Sequence, residues 1–217
     1  MKPDTLLIYS GGVDSTTMLY EYRDRIALAL SFHYGSNHND AELACARWHC
    51  ARLGIRQVVI PLGFMAQHFR SALFEGADAV PGQKYDEQSM HSTVVPFRNG
   101  IMLSIAAGMA ESEGLRQVMM ANHSGDHSIY PDCRPAFVDA MGAAISAGTY
   151  DGVVLDAPYT RLTKADIVRR GTALGVDYGH TWSCYKGGEH ACGVCGTCVE
   201  RREAFAAAGQ KDPAMEE

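Results

Sequence analysis

The chain has 217 residues, with 19 Lys and Arg against 25 Asp and Glu, a formal net charge of −6 at pH 7. That length suits one ordinary domain with at most a small appendage, and the acidic balance speaks against a general electrostatic grip on nucleic-acid phosphates. With 47% hydrophobic and 20% charged residues the composition is globular, which excludes a disordered or coiled-coil chain. The segment from Met1 to Tyr9 carries one lysine and is too short for a secretion signal. No apolar run reaches the roughly 18 residues of a membrane span. A cytoplasmic protein acting on small molecules, with neither nucleic acid nor membrane as partner, is the expectation.

In chain order the hydrophobic pattern predicts strands at Leu6–Tyr9, Ile26–His33, Gln57–Pro61, Gln117–Ala121 and Val153–Asp156. Helical periods lie between and after them, at Ser15–Arg23, Asp40–Leu53, Asn99–Ser112, Arg134–Ala147 and Lys164–Leu174. Gly54, Gly114, Gly148 and Gly175 stand where helices commonly end. This alternation predicts an α/β fold, a Rossmann-like five-stranded parallel sheet with right-handed crossovers. Gly76 to Thr93 has no period and reads as an insertion, a candidate lid over a site. From about Thr181 the composition shifts to Cys and Gly, so the division expected is an α/β domain over 1–180 and a small metal module with a helix over 181–217.

Directly after the first strand comes Ser10-Gly11-Gly12-Val13-Asp14-Ser15-Thr16. Two glycines let the backbone approach an anion, successive N–H groups converge on it, and the following helix adds its positive end. The hydroxyls of Ser10, Ser15 and Thr16 are further donors. The loop is not a Walker loop, since Gly-Lys-Ser/Thr is absent, and lacks the third glycine of a dinucleotide fingerprint. A plain turn with Ser15 as helix cap is the bland alternative.

Cys184, Cys192, Cys195 and Cys198 form Cys-x7-Cys-x2-Cys-x2-Cys. Such spacing suits a closed tetrahedral Zn²⁺ site, with an iron–sulfur cluster as the weaker reading. Cys45 and Cys50 read as packed thiols and Trp48 as core.

The glycine-rich loop resembles the signature of the PP-loop ATP pyrophosphatases, which cleave ATP between the α and β phosphates and activate a substrate oxygen as an adenylate. Resemblance implies that Ser10, Gly11, Gly12, Asp14, Ser15 and Thr16 bind ATP, with Mg²⁺ neutralising the triphosphate, on an adenine nucleotide alpha hydrolase-like fold. Further motifs narrow the family: Phe32-His33-Tyr34-Gly35 with His38 and Glu42, Val95-Pro96-Phe97-Arg98-Asn99, Tyr130-Pro131-Asp132-Cys133-Arg134, Leu162-Thr163-Lys164-Ala165-Asp166, and Trp182-Ser183-Cys184-Tyr185. Over essentially the whole chain these are similar to the 7-cyano-7-deazaguanine synthase family, which converts 7-carboxy-7-deazaguanine and ammonia to a nitrile with ATP. A homodimer is the assembly this implies. One departure stands out: where the family pattern reads Glu-Thr-Asp-x-Ser-Gly, this chain has Asn122-His123-Ser124-Gly125-Asp126-His127-Ser128-Ile129. A related branch joins a deazaguanine to a protein N-terminal amine in antiviral defence, and that acceptor is the alternative expectation. A zinc-stabilised binding module without activity is a third.

Site roles follow as expectations. Asp14, Arg98 and Lys164 form the catalytic set, the cations neutralising phosphate or carboxylate oxygens and Asp14 orienting Mg²⁺ or tying the loop. His33 and Tyr34, at a strand's C-terminal end, are candidates to stack on adenine. Asn99 reads a purine-like edge or caps its helix, Asp132 and Arg134 bind the substrate ring or pair with each other, and Asp126 and Tyr130 complete the substrate set.

Overall fold

The structure is a computed structural model that describes residues 2–82 and 87–214. Its elements are β1 (Thr5–Ile8), α1 (Val13–Glu21), β2 (Ile26–His33), α2 (Asn39–Leu53), β3 (Gln57–Pro61), the short α3 (Phe64–His68) and α4 (Glu87–Met90), α5 (Arg98–Ser112), β4 (Gln117–Met119), α6 (Pro135–Gly148), β5 (Val154–Asp156), α7 (Lys164–Ala173) and α8 (Gly196–Ala208). Every strand pair is parallel, in the order β3-β2-β1-β4-β5.

Side-chain alternation along the strands sorts them onto two faces. Leu6, Leu28, Leu30 and Val118 pack against Met102, Leu103 and Ala106 of α5. Their neighbours Leu7, Ala29 and Met119 face the other way, onto Met18 and Leu19 of α1, Ala46 and Cys50 of α2 and Ile167 of α7. Because both faces are covered, the strands read as apolar runs rather than alternating ones. A third cluster joins Val13 and Tyr20 of α1, Val168 of α7 and Ala204 and Phe205 of α8, so the C-terminal helix is packed into the α1 and α7 layer.

Strands β2 and β3 run over the residues expected. Helix α1 begins two residues before the expected Ser15, because the Ser15 hydroxyl bonds back to Ser10 instead of capping the helix. Gly54 and Gly175 end α2 and α7 with φ of 65° and 73°, whereas Gly148 remains the last residue of α6 and Thr149 terminates it. Of the expected insertion, residues 83–86 lie outside the described residues; on either side the chain forms a 3₁₀ turn at Ala77–Ala79 and helix α4. Among the described residues no helix is long and apolar enough to cross a membrane. Trp48 is not a core residue: its ring stacks on His180 at 3.8 Å and 5°, with the Arg52 guanidinium on it at 5.2 Å.

Candidate active site

A pocket opens at the C-terminal ends of β1, β2 and β4, where the connections from β1 and β4 leave in opposite directions. Open α/β sheets place ligands at this switch point. One wall is the loop after β1. There the Ser10 and Ser15 hydroxyls lie 3.0 Å apart, and Gly12 N donates to Ser10 Oγ at 3.1 Å. No side chain caps α1 at Gly12, so the loop keeps the anion-receptive end of the helix open. Gly11 explains the tight fit: its φ is +88°, and a Cβ there would collide with the Glu42 carbonyl and sit 2.8 Å from Ala46 N.

Beside the loop stands a charged cluster drawn from four parts of the chain. Lys164 Nζ, at the start of α7, lies 2.6 Å from Glu200 Oε2 and 3.3 Å from Asp14 Oδ2. Burial alone would favour its neutral form; Asp14, Glu200 and Asp126 outweigh that and hold its pKa above the ordinary lysine value. His123 is buried beneath them. Its Nδ1 accepts from Gly125 N at 3.0 Å, which leaves the proton on Nε2, and Nε2 faces Glu200, Asp126 and Asp14 at 3.5, 3.6 and 3.9 Å.

The opposite end is aromatic and holds Arg98, whose Nη1 donates to Tyr34 Oη at 3.2 Å with its guanidinium 5.6 Å from that ring's centre. His38 stacks on Tyr185 at 5.0 Å and its Nε2 contacts Tyr34 Oη at 3.3 Å; Tyr185 in turn meets Tyr130, hydroxyl to hydroxyl, at 3.1 Å. Burial pushes His38 down to about 3, so its imidazole is neutral. Burial also pushes Glu42 up to about 8 against the pull of Arg98.

Of the expected site residues, Ser10, Gly12, Asp14, Ser15, Tyr34, Arg98, Asn99, Asp126, Tyr130 and Lys164 line this pocket. The structure keeps the others out of it. Thr16 is fully buried with its hydroxyl 3.2 Å from Tyr9 Oη, so it braces the loop from below. Gly11 supplies close packing on α2. His33, one residue from Phe32 on the alternating strand, turns outward to Asp40 at 3.4 Å. Asp132 accepts from Asn99 N at 2.8 Å and so caps α5, a role the sequence had offered to Asn99 itself. Arg134 does not pair with Asp132; it is exposed and donates to the His127 carbonyl at 2.8 Å. Of the two histidines in the departing loop, His123 reaches the charged cluster.

Sequence reasoning missed Glu42, His38, Tyr185 and Glu200 as pocket residues. The i, i+4 spacing of His38 and Glu42 at the start of a predicted helix was a usable signal. For Glu200 the sequence carries none, because its partners lie far away in the chain.

The four cysteines converge beneath the pocket. Their sulfurs lie within 4.8 Å of one another, with Cys195 Sγ and Cys198 Sγ 3.4 Å apart. Cys192 N points at Cys184 Sγ and Cys195 N at Cys192 Sγ, each at 3.3 Å, the N–H to sulfur pattern of a thiolate metal site. The donor set fits a metal ion.

A family model for the queuosine biosynthesis protein QueC matches residues 4–209. The chain is 58% identical over 212 residues to a 7-cyano-7-deazaguanine synthase of Porphyromonas gingivalis, covering 98% of this chain and 96% of that one. A protein of the same name from Desulfotalea psychrophila is 47% identical over 204 residues, 93% of each chain. Among solved structures, NMN synthetase from Francisella tularensis shares the fold with a TM-score of 0.53 at 13% identity, over 97% of this chain and 79% of that one.

Proposed function

The chain belongs to the queuosine biosynthesis protein QueC family, and from that membership we propose that it is a carbon–nitrogen ligase converting 7-carboxy-7-deazaguanine and ammonia to 7-cyano-7-deazaguanine with cleavage of ATP. One observation carries the assignment from family to mechanism. A single pocket brings the Ser10, Gly12 and Ser15 loop together with Lys164 at one end and with Arg98 and flat aromatic walls at the other.

A carboxylate has no leaving group that ammonia can displace, so its oxygen is first adenylated and ammonia then expels AMP to give the amide. Adenylation of the amide oxygen and a second loss of AMP leave the nitrile. The two activations are alike, so one site serves both. In this reading the loop after β1 holds the pyrophosphate portion of MgATP, the substrate form of the nucleotide, through backbone N–H groups and the two serine hydroxyls. Lys164 neutralises phosphate charge, and Arg98 pairs with the substrate carboxylate or the α phosphate through its planar fork. Tyr34, Tyr130 and Tyr185 offer flat surfaces to the bicyclic ring and shield the adenylate from water. The shared name of the relatives favours ammonia over a protein amine as acceptor.

Cys184, Cys192, Cys195 and Cys198 would hold Zn²⁺, which would supply a structural cross-link at the start of α8 rather than chemistry. Reduced thiols in such a site fit a cytoplasmic enzyme. A homodimer is supported by α6, whose Ala136, Ala140, Ala143, Ala144 and Ala147 are among its residues left unburied and whose one charged residue is Asp139.

The test is a reaction of purified protein with MgATP, 7-carboxy-7-deazaguanine and ammonium, followed by mass spectrometry. Nitrile formation with two AMP per product is expected. A reaction that stalls at the adenylate or the amide refutes the ligase reading.

A further inference from the structure

The reaction proposed above strips three protons from nitrogen, one as ammonia attacks the acyl adenylate and two as the amide is adenylated and collapses to the nitrile. Arg98 and Lys164 are donors and cannot accept them. Among the described residues four carboxylates line the pocket: Asp14, Glu42, Asp126 and Glu200. Asp14 and Glu200 share the ammonium of Lys164 at 3.3 and 2.6 Å. Asp126 accepts from His123 N at 3.0 Å and faces that ring.

Glu42 is placed differently. It sits in the first turn of α2 with its side chain 16% exposed. Among the described residues no hydrogen bond reaches its carboxylate and no lysine or arginine nitrogen lies within 4.0 Å of it; the one basic side-chain nitrogen that close is His38 Nε2, at 3.8 Å, on a neutral ring. Its own carbonyl is packed on Gly11, which fixes the residue against the phosphate loop.

We propose that Glu42 is the general base that takes a nitrogen proton in each of the two bond-forming steps, an assignment that rests on the ligase reading. In the first, the nitrogen lone pair forms the C–N bond, the C–O bond to AMP breaks, and an N–H proton passes to the carboxylate. In the second, the amide oxygen has already displaced pyrophosphate from ATP. The cationic imidate formed in this way loses one N–H proton to solvent; the last N–H proton passes to Glu42, its bonding pair forms the third C–N bond, and AMP leaves with the oxygen. Between steps the carboxyl returns its proton to solvent.

Its surroundings tune the group for this. Arg98 faces it from α5, Tyr34 from the loop after β2, and His38 and Cys45 from its own helix and the residue before it. Burial outweighs the arginine and sets the carboxyl at about 8, near the working pH of a general base.

Glu42→Gln and Glu42→Asp separate this role from substrate binding. The acid enters as a carboxylate, so acyl-adenylate formation moves no proton; it is read by acid-dependent exchange of labelled pyrophosphate into ATP. In Glu42→Gln this exchange is expected to persist, while amide and nitrile formation fall by about 10²-fold or more. Supplied carboxamide is converted to nitrile equally slowly, and Glu42→Asp recovers part of both steps. Nitrile production by Glu42→Gln at the wild-type rate overturns the proposal, as does loss of exchange in step with loss of nitrile, which makes Glu42 a binding residue. Wild-type protein that makes no nitrile overturns the ligase reading itself and this assignment with it.

Discussion

Substituting Asp212 by Asn tests whether the C-terminal segment is held by one buried ion pair. Arg201 and Asp212 side chains are only 3% and 7% exposed. Asp212 takes Nε and Nη2 of the arginine at 2.7 and 2.8 Å, and the remaining N–H groups go to the carbonyls of Tyr178 and Thr181 at 3.0 and 3.2 Å and to Ser183 Oγ at 3.4 Å. The amide would keep the shape of the carboxylate but leave a buried guanidinium with neutral acceptors alone. Breaking a buried pair in this way costs about 3–5 kcal/mol. At roughly 2–4 °C per kcal/mol for a chain of this size, melting should fall by about 6–20 °C. Calorimetry at neutral pH in the presence of Zn²⁺ measures it. The double variant Arg201→Met with Asp212→Leu should regain much of the loss, since no charge is stranded. An Asp212→Asn melting point equal to wild type refutes the argument.

Gly11→Ala places a Cβ against backbone of α2 at a left-handed φ, so the loop or the helix must move. About 2–5 kcal/mol of stability should be lost, and equilibrium dialysis should show weaker ATP binding. Cys195→Ser should lower bound zinc, measured by atomic emission, and bring melting down before it affects chemistry; full metal content at normal stability would disprove the structural site. Glu42 binds its proton more tightly folded than unfolded, so its contribution to stability is present below the ordinary carboxyl pKa and is lost as pH rises toward about 8. Melting of Glu42→Gln should therefore exceed wild type most clearly on the alkaline side, and an equal difference at acid and alkaline pH contradicts this.

The phosphate loop and the four cysteines were legible because each is written in one short stretch of chain, where spacing alone constrains geometry. The strands were legible because burial on both faces demands apolar runs. What escaped depends on partners far apart in sequence. Lys164 was found by motif, but Glu200, which holds it, stands on the last helix with nothing around it to mark the pairing. His33 and Tyr34 looked equivalent, yet strand alternation turns His33 outward and the chain brings Tyr34 back to Arg98. Asp132 looked like a substrate ligand because a charged residue in a motif invites that reading; an uncapped helix start far earlier in the chain, at Asn99, claimed its carboxylate.

Lys164 joins Asp14, from the loop after the first strand, to Glu200, on the last helix. During synthesis the loop leaves the ribosome early, while Glu200 is still to be made. The nascent sheet can assemble, but the charged cluster is completed only when the C-terminal helix docks. Without Glu200 the lysine keeps Asp14 and Asp126 but loses the carboxylate nearest its ammonium, so the nucleotide loop lacks its full electrostatic setting until α8 is in place. Placing one member of the cluster on α8 thus ties the charge balance around Lys164 to the docking of that helix.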